Sequence, residues 1–312
     1  MRIGLDIMGG DHYPQAPVAG AVRYAQQADS EAVLVLIGDT DLIHRELAQH
    51  GASPSDFVIV SAPEPIGMDE HPSKAVIAKP QSSINVGLRM LREKQLDAFV
   101  SAGHTGAMLA GSVLMLGCIG SVQRPTVGTL VPANGKFSFL CDVGANTDCK
   151  PDHLLQFAQL GSMFMREVMQ VQHPRVALLN VGEERKKGSQ LAQQAYELME
   201  QQAGLNFVGN TQGWDLLRHT ADVYVVDGFV GNIILKYSES LYDYLKPRLP
   251  DDPEIEKFNF ELVGGLPFLG VAGNVIIGHG ISGPAAFHNM ILRAVDLCRS
   301  QLLQTFERAF AH

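Results

Sequence analysis

Short apolar runs alternate with helix-like segments along most of this 312-residue chain, and this alternation constrains the fold more than any other feature. Strands that alternate with helices predict an α/β fold, with a mostly parallel sheet and helices on both faces. The predicted strands are Ile3–Ile7, Ala32–Ile37, Phe57–Val60, Ala98–Ser101, Thr126–Val131, Phe137–Cys141, Val176–Asn180, Asn206–Val208, Val223–Val226 and Val275–Ile277. The predicted helices are Gln15–Gln27, Thr40–Gln49, Ser82–Glu93, Ala107–Ile119, His153–Met169, Gln190–Gln202, Ile233–Leu245 and Ala285–Phe306. We expect residues 1–312 to form a single domain or two lobes.

Composition and charge argue against several classes of protein. Hydrophobic residues make up 46% of the chain, which excludes a disordered protein. The net charge of −9 argues against sequence-independent binding of nucleic acid and against simple electrostatic docking onto an anionic membrane. The four cysteines show neither zinc-ligand spacing nor a disulfide framework, and the N-terminal segment does not have the pattern of a signal peptide. We therefore expect a cytoplasmic protein.

One long uncharged stretch raises the alternative of a membrane span. Between Asp97 and Arg124 the chain carries no Asp, Glu, Lys or Arg, which is long enough to cross a bilayer. Five glycines interrupt this stretch, and Ser101–Gly106 has the composition of a turn. We interpret it as a buried strand, a glycine-rich turn and a buried helix.

Six glycine-rich turns follow predicted strands. They are Asp6–His12, Ser101–Ala107, Asp142–Asn146, Asn180–Gly188, Asp227–Asn232 and His279–Gly283. In open parallel sheets ligands bind outside the carboxyl ends of the strands, where glycine lets the backbone approach closely and the next helix offers free N–H groups. Any one of these turns can be a simple tight corner, but the six together predict a pocket for a small anion.

Familiar catalytic and nucleotide motifs do not occur in the sequence. No G-x-G-x-x-G follows a strand, and the chain has no G-x-x-x-x-G-K-[ST] and no G-x-S-x-G. His104, His279 and His288 lack metal-ligand spacing, so we expect neither a metal nor a cofactor. The aspartates near the turns are expected to cap helices and to orient their neighbours; they are Asp6, Asp11, Asp142 and Asp227.

The motifs in these turns resemble the acyl-carrier-protein:phosphate acyltransferases of bacterial phospholipid synthesis. The matching blocks run in order through nearly the whole chain: Asp6–Asp11, Val100–Ala107, Arg124-Pro125, Asp142–Asn146, Leu178–Glu184 with Lys187-Gly188, Asp227–Asn232 with Leu235-Lys236, Gly264-Gly265 with Leu269-Gly270, and His279-Gly280. The resemblance implies a fold similar to phosphotransacetylases and isocitrate-dehydrogenase-like proteins. It also implies a reaction in which an acyl-carrier-protein thioester and inorganic phosphate give acyl phosphate and free carrier protein.

The resemblance also implies the site residues. It places catalysis on Lys187, which suits phosphate charge, and on Asn232, which can donate an amide N–H to the oxyanion. It makes a phosphate cradle of Gly103, His104, Thr105 and Gly106, has Asp227 and Gly228 support the site, and has His279 and Ser282 line it. The plain alternatives are a solvated lysine in the Arg185–Lys187 run, an ordinary helix cap for Asn232 and simple turn capping by His104.

Three departures from the family pattern bear on this expectation. His104 stands where the family usually has Asn, which gives the hypothesis that the imidazole replaces that residue as a phosphate donor. Gln212-Gly213-Trp214 replaces an acidic residue, a glycine and a basic residue. The helical hairpin expected at about 233–263 is shorter than usual, and in the family this element dimerises and contacts the membrane. A homodimer, and contact with the membrane or with a downstream membrane acyltransferase, are thus expectations from the resemblance.

The remaining expectations concern the acyl chain, the carrier protein and rival functions. An apolar slot for the acyl chain could be lined by residues of two predicted helices that otherwise serve core packing: Met108, Leu109, Val113, Met115, Leu160, Met163, Phe164 and Met165. Basic groups gathered for the acidic carrier would be Arg185, Lys186, Lys187, Arg89, Arg92 and Lys94.

The rival functions are a phosphotransacetylase-like enzyme that uses acyl-CoA and a non-catalytic lipid-synthesis scaffold. A nicotinamide dehydrogenase is disfavoured by the missing dinucleotide motif.

Overall fold

The computed structural model describes residues 1–28 and 30–311, which fall into two compact units. Unit 1 comprises Met1–Gly117 and Phe260–Leu303, and unit 2 comprises Cys118–Asn259 together with the C-terminal residues from Gln304. The strands are β1 Arg2–Asp6, β2 Val33–Gly38, β3 Val58–Ser61, β4 Ala98–Ser101, β5 Thr126–Ala133, β6 Lys136–Cys141, β7 Val176–Leu179, β8 Phe207–Thr211, β9 Val223–Val225, β10 Leu266–Leu269 and β11 Asn274–Ile277. The helices are α1 Gln15–Ala25, α2 Thr40–Gln49, α3 Pro72–Ala78, α4 Ser83–Arg92, α5 Thr105–Met115, α6 Pro151–Glu167, α7 Gln190–Gln201, α8 Gly228–Leu245, α9 Pro253–Glu256, α10 Phe260–Val263, α11 Pro284–Arg299 and α12 Leu302–Ala309.

In unit 1 the strands follow the order β3-β2-β1-β4-β11-β10. All neighbouring strands pair in parallel except β10, which runs antiparallel to β11. Ile3 of β1 pairs with Leu34 of β2 on one side and with Ala98 of β4 on the other. Apart from Arg2 and Asn274 at the starts of β1 and β11, the residues of β1, β4 and β11 are buried and mostly apolar, as expected for parallel strands that helices cover on both faces. This arrangement places the turns after β1, β4 and β11 at one edge of the sheet.

In unit 2 the order is β5-β6-β9-β7-β8. Strands β5 and β6 form an antiparallel hairpin, whereas β6, β9, β7 and β8 run parallel. Helix α6 packs on β6 and β9 and buries Phe157. The buried Tyr224 of β9 donates its hydroxyl to the carbonyl of Asp215, so the aromatic ring enters the core without leaving a polar group unpaired. The turns after β6, β9, β7 and β8 share the carboxyl edge of this sheet.

The prediction of a mostly parallel α/β sheet is confirmed, but some element boundaries were predicted wrongly. Strand β10 was not predicted, because it is short and begins with Leu266-Pro267 after two glycines. Helix α3 was not predicted either. The predicted helix Ala285–Phe306 consists of α11 and α12, because Ser300 adopts an extended conformation between them with φ −70° and ψ 157°.

The segment expected to form a helical hairpin at about 233–263 contains one long helix and two short ones. Helix α8 begins at Gly228, earlier than predicted, and the four-residue helix α9 follows it in unit 2. Helix α10 belongs to unit 1, where it packs against α11. The hairpin therefore has one full-length arm.

The uncharged stretch between Asp97 and Arg124 forms β4, a turn and α5, as the glycines in it indicated. Within residues 1–28 and 30–311, no helix is long and apolar enough to cross a membrane.

Candidate active site

In unit 1, hydrogen bonds join the turns after β1, β4 and β11. Ser101 donates its hydroxyl to Asp6 Oδ2 at 2.6 Å and accepts the Gly103 N–H at 3.0 Å. The carbonyl of Ser101 accepts the Gly278 N–H at 2.8 Å, and the carbonyl of Gly280 accepts the Asp11 N–H at 2.6 Å. Three turns that lie far apart in sequence therefore form one connected surface.

Asp6 is the buried anchor of this connection. Burial raises the pKa of its carboxyl group, while hydrogen bonds from the hydroxyls of Ser101 and Ser83 and from the N–H groups of Met8 and Gly9 act in the opposite direction. A carboxylate that is buried but accepts several hydrogen bonds is held in one orientation. Asp6 therefore fixes Ser101, and through Ser101 it fixes the start of the Gly103–Gly106 turn.

His104 is the N-cap of α5. Its Nδ1 accepts the Ala107 N–H at 3.4 Å, and its Nε2 lies 3.0 Å from the carbonyl oxygen of Glu70. Since a carbonyl oxygen can only accept, Nε2 carries the hydrogen and the imidazole is neutral. Both ring nitrogens thus have protein partners, and the side chain ties the loop before α3 to the α5 turn. The N–H groups of Thr105 and Gly106, in the first turn of α5, have no acceptor within the helix.

His279 and Ser282 lie in the turn after β11. Ser282 is buried, and its N–H donates to the carbonyl of His279 at 3.0 Å. His279 is half-buried. Because this turn is joined to the turn after β4, the structure brings both residues to the same edge of unit 1 as Gly103–Gly106.

In unit 2, Asp227 caps α8. Its Oδ1 accepts the N–H groups of Phe229 at 3.0 Å and Val230 at 3.1 Å. The N–H of Gly228 donates to the carbonyl of Asn146 at 2.8 Å, so the start of α8 is bound to the turn after β6. Asn232 follows within the next turn of the helix, with an exposed side chain.

Lys187 lies in the loop after β7. Its carbonyl accepts an amide hydrogen from Asn180 at 3.1 Å, and Asn180 also donates to Asn210 Oδ1 at 3.1 Å. The ammonium group lies 4.0 Å from Glu184, and 54% of the side chain is exposed. Strands β7 and β9 are parallel neighbours, so the turns that carry Lys187 and Asn232 leave the same edge of the unit 2 sheet. The contacts of Asn180 were not predicted from the sequence.

The other basic groups have different surroundings. Arg185 pairs with Glu200 at 2.6 Å and lies 5.6 Å from the ring centre of Tyr196, so a protein carboxylate already neutralises it. Arg89, Arg92 and Lys94 lie at the end of α4 that leads into the amino end of β4. They are therefore on the side of the unit 1 sheet opposite to the glycine-rich turns.

Residues of the Gln212–Trp214 departure border the Lys187 loop. Gln212 Nε2 lies 3.4 Å from Glu183 Oε1, and the side chain of Trp214 is 59% exposed. Asn210, at the end of β8, donates to the carbonyl of Glu184 at 3.0 Å. The turn after β8 and the Lys187 loop thus support each other.

The residues considered for an acyl slot divide between the two units. Met108 of α5 is fully buried in unit 1, and Leu109 and Met115 are half-buried, whereas Val113 is exposed. On α6 in unit 2, Leu160, Phe164 and Met165 are buried, and Met163 is half-buried. The ring of Phe164 packs 4.5 Å from that of Phe139, centre to centre. The buried members therefore contribute to the cores of their own units.

A serine, a histidine and an aspartate lie together in unit 2 without forming a nucleophilic triad. His219 Nδ1 lies 2.9 Å from Ser138 Oγ, and its Nε2 lies 3.2 Å from Asp222. The Ser138 hydroxyl is fully buried and donates to the carbonyl of Ala221 at 2.8 Å, so it is neither accessible nor activated. Asp222 also accepts hydrogen bonds from Arg175, which makes the cluster a structural network.

The part of the chain that the structure describes holds no group of three or more His, Cys, Asp or Glu side chains arranged to bind a metal ion.

Comparison with known proteins identifies the family. Residues 1–305 match the family model described as "Fatty acid synthesis protein". The chain is 40% identical to the phosphate acyltransferase of Salinibacter ruber, over 99% of this chain and 97% of that protein. It is 38% identical to the phosphate acyltransferase of Syntrophomonas wolfei, over 97% of each chain. The solved phosphotransacetylase of Streptococcus pyogenes shares the fold with a TM-score of 0.66 at 15% identity, over 96% of this chain and 94% of that chain. The chain therefore belongs to the phosphate acyltransferase family of fatty acid synthesis proteins.

Proposed function

We propose that this chain transfers a fatty acyl group from the thioester of an acyl carrier protein to inorganic phosphate. A phosphate oxygen forms a bond to the thioester carbonyl carbon, the carbon–sulfur bond breaks, and the thiolate leaves with the sulfur and takes up a proton. The products are acyl phosphate and free carrier protein. The observation that carries this proposal is the match to phosphate acyltransferases over nearly the whole chain, with Lys187 in the loop after β7 and Asn232 near the start of α8 at one sheet edge.

Phosphate is itself the nucleophile in this reaction, so the protein has to supply position and charge. Lys187 fits a role in neutralising phosphate, because its ammonium group is a compact charge and its loop is held by Asn180. A 4.0 Å separation from Glu184 leaves the ammonium group without a close hydrogen bond to that carboxylate. Asn232 fits a role as the donor to the carbonyl oxygen as it gains negative charge, since its amide is exposed on a helix fixed at its first turn.

The α5 turn of unit 1 fits the role of a phosphate cradle. The first turn of a helix offers unpaired N–H groups and a positive dipole end. His104 caps this helix as a neutral group, so it does not offset that positive end. The proposed cradle therefore acts through the backbone of Gly103–Gly106, with His104 as its cap and with His279 and Ser282 beside it.

Helix α8 offers a surface for the proposed homodimer or for peripheral contact with a membrane. Four large side chains spaced along it are more than half exposed: Phe229, Ile233, Tyr237 and Tyr244. An exposed apolar surface of this kind is typical of a contact site. The exposure of these four side chains supports the proposed homodimer and peripheral membrane contact. We also propose that the enzyme is cytoplasmic.

The test is to incubate the purified chain with inorganic phosphate and either long-chain acyl-carrier protein or the matching acyl-CoA, and to trap acyl phosphate with hydroxylamine. We expect acyl phosphate from the carrier-protein thioester at a much higher kcat/KM than from acyl-CoA. A preference for acyl-CoA would favour the phosphotransacetylase-like alternative. No acyl phosphate from either donor would favour the scaffold.

A further inference from the structure

The turn after β6 has no role in the proposed chemistry, yet it holds a fully buried carboxylate. Asp142 is 0% exposed. Its Oδ1 accepts the N–H groups of Gly144 and Ala145, each at 2.9 Å, and its Oδ2 accepts an amide hydrogen of Asn146 at 2.6 Å. Three donors from the next four residues converge on one carboxylate, so a single side chain determines the conformation of the turn.

The turn is tied to the chain on both sides. Asn146 donates its second amide hydrogen bond to the carbonyl of Pro125 at 2.8 Å, and its own carbonyl accepts the Gly228 N–H at 2.8 Å. The backbone N–H of Asp142 donates to the carbonyl of Val226 at 2.9 Å. The residues immediately before and at the start of α8 are therefore fastened to the Asp142 turn.

The same turn lies next to the Asn232 side chain. A Cβ placed on Gly144 would lie 3.3 Å from Asn232 Oδ1 and 3.6 Å from Asn232 Cβ, so the Asn232 side chain occupies the space next to this glycine and a larger residue there would meet it. A Cβ placed on Gly231 would lie 1.8 Å from the carbonyl oxygen of Asp142, so only glycine lets α8 approach this closely. The Gly144 backbone thus borders the space that the Asn232 amide occupies.

We propose that Asp142 is a positioning residue for Asn232, because its carboxylate holds the Val143–Asn146 turn against which the Asn232 side chain packs. This inference rests on the oxyanion role proposed above for Asn232. Asp142 itself does not touch substrate. Its effect is to keep the amide donor in the place where charge develops, and a misplacement of about 1 Å costs up to about 10²-fold in rate.

The test replaces Asp142 by Asn, which keeps the shape but sets an amide donor against the Asn146 amide. We expect kcat to fall about 10- to 100-fold, with the KM for phosphate unchanged within about twofold. The side-chain amide resonances of Asn232, assigned by their loss in Asn232→Ala, should shift. The matched control is Asp222→Asn, since Asp222 is also a buried aspartate of unit 2 but pairs with Arg175 near the amino ends of the strands. That control should leave kcat and the Asn232 resonances unchanged.

Gly144→Ala provides a second variant if Asp142→Asn does not fold. Gly144 has a φ of +134°, and the added Cβ presses on Asn232, so the same loss of kcat is expected with Asp142 intact. Wild-type kcat and unshifted Asn232 resonances in a folded Asp142→Asn variant would overturn the inference. An inactive wild-type enzyme would instead contradict the proposed function, and the resonances would still decide whether Asp142 positions Asn232.

Discussion

Both units hold a glycine-rich turn with a buried aspartate, but the hydrogen-bond donors to that aspartate differ. Each buries an aspartate where a strand meets a glycine-rich turn, Asp6 in unit 1 and Asp142 in unit 2. Asp6 accepts a hydrogen bond from Ser101 and so connects two turns that are distant in sequence. Asp142 accepts hydrogen bonds from Gly144, Ala145 and Asn146 of its own turn. Unit 1 thus gains a fixed assembly of several turns, and unit 2 gains one rigid support for the start of α8.

The caps of the adjacent helices differ in charge. The neutral His104 caps α5, whereas the carboxylate of Asp227 caps α8. A negative charge at a helix N-terminus offsets the positive end of the helix dipole, and a neutral cap leaves it available to an anion. This difference supports the proposal that the backbone N–H groups of the α5 turn bind an anion, whereas the proposed roles of Lys187 and Asn232 in unit 2 rest on their side chains.

The largest effects should come from the two side chains of unit 2. We expect Lys187→Ala and Asn232→Ala each to lower the turnover number about 10²- to 10³-fold, because each removes one preorganised donor from the developing charge. The measurement is acyl-phosphate formation by variants whose circular dichroism shows that they are folded.

Matched controls for these variants lie near the amino ends of the unit 2 strands. Lys136 begins β6, and Asn206 donates to the carbonyl of His173 next to β8. Lys136→Ala and Asn206→Ala should change turnover by less than about twofold. Near wild-type turnover in Lys187→Ala or Asn232→Ala would remove that residue from the mechanism.

The buried aspartates make stability depend on pH, with a smaller effect. Burial raises the pKa of Asp142 to about 6, from 3.8 for an unburied aspartate, although the N–H groups of its turn and Asn146 act against this. At a pH between these two pKa values, Asp142 keeps its proton in the folded protein and has released it in the unfolded chain. The stability from this proton is therefore full below about pH 4 and is lost as the pH rises through about 6, on the order of 3 kcal/mol at most.

Denaturant unfolding of the wild type and Asp142→Asn between pH 4 and 8 measures this dependence. The wild type should lose stability relative to the variant as the pH rises. For Asp222 the expected dependence of stability on pH has the opposite sign. Burial raises the pKa of Asp222, but the hydrogen bonds and charge of Arg175 outweigh burial and lower it. Relative to Asp222→Asn, the wild type should lose stability as the pH falls below the unfolded pKa of aspartate, which is measured by extending the unfolding experiments below about pH 4. A pH-independent difference for Asp142→Asn would show that Asp142 is ionised in the folded protein throughout this range.

The smallest effects should come from exchanging the caps. His104→Asp replaces the capping Nδ1 by a capping oxygen but adds negative charge at the start of α5, so we expect the phosphate KM to rise about 10-fold. His104→Asn keeps a neutral cap and should leave the phosphate KM within about twofold of wild type. Asp227→Asn should likewise leave the phosphate KM near wild type, since Asp227 caps α8 and the proposed phosphate cradle is the α5 turn.

Phosphate saturation curves for these three variants distinguish the hypotheses. A large increase in KM for His104→Asn would show that the imidazole itself contacts phosphate. An unchanged KM for His104→Asp would contradict the assignment of phosphate to the α5 turn.

Much of the fold could be predicted because its signals are local. The apolar runs of β1 and β4 and the helical patterns of α2 and α7 have the periods of buried strands and amphipathic helices, and the structure places them within a few residues of the prediction. The break at Ser300 was missed because the apolar pattern continues through it into α12. Strand β10 was missed because its pairing with β11, rather than its own composition, makes it a strand.

The candidate site could be predicted as a set of turns, but the contacts within it could not. Glycine-rich sequences after strands indicate where a backbone can approach a ligand, and the family motifs single out Lys187 and Asn232. The sequence does not reveal that Asn180 holds the Lys187 loop, or that both nitrogens of His104 have protein partners. These contacts join residues from different turns, and their partners depend on strand order.

The sequence by itself determined the fold class, the family and the turns that carry polar residues, because periodicity and motif spacing are properties of the chain. Only the tertiary structure decided that Asp6 acts through Ser101, 95 residues away, and that Asn232 lies next to Gly144. The physical reason is that a buried carboxylate needs hydrogen-bond donors, and packing decides which donors lie next to it. Packing depends on the spatial order of the strands in the sheet, and no local pattern in the sequence specifies that order.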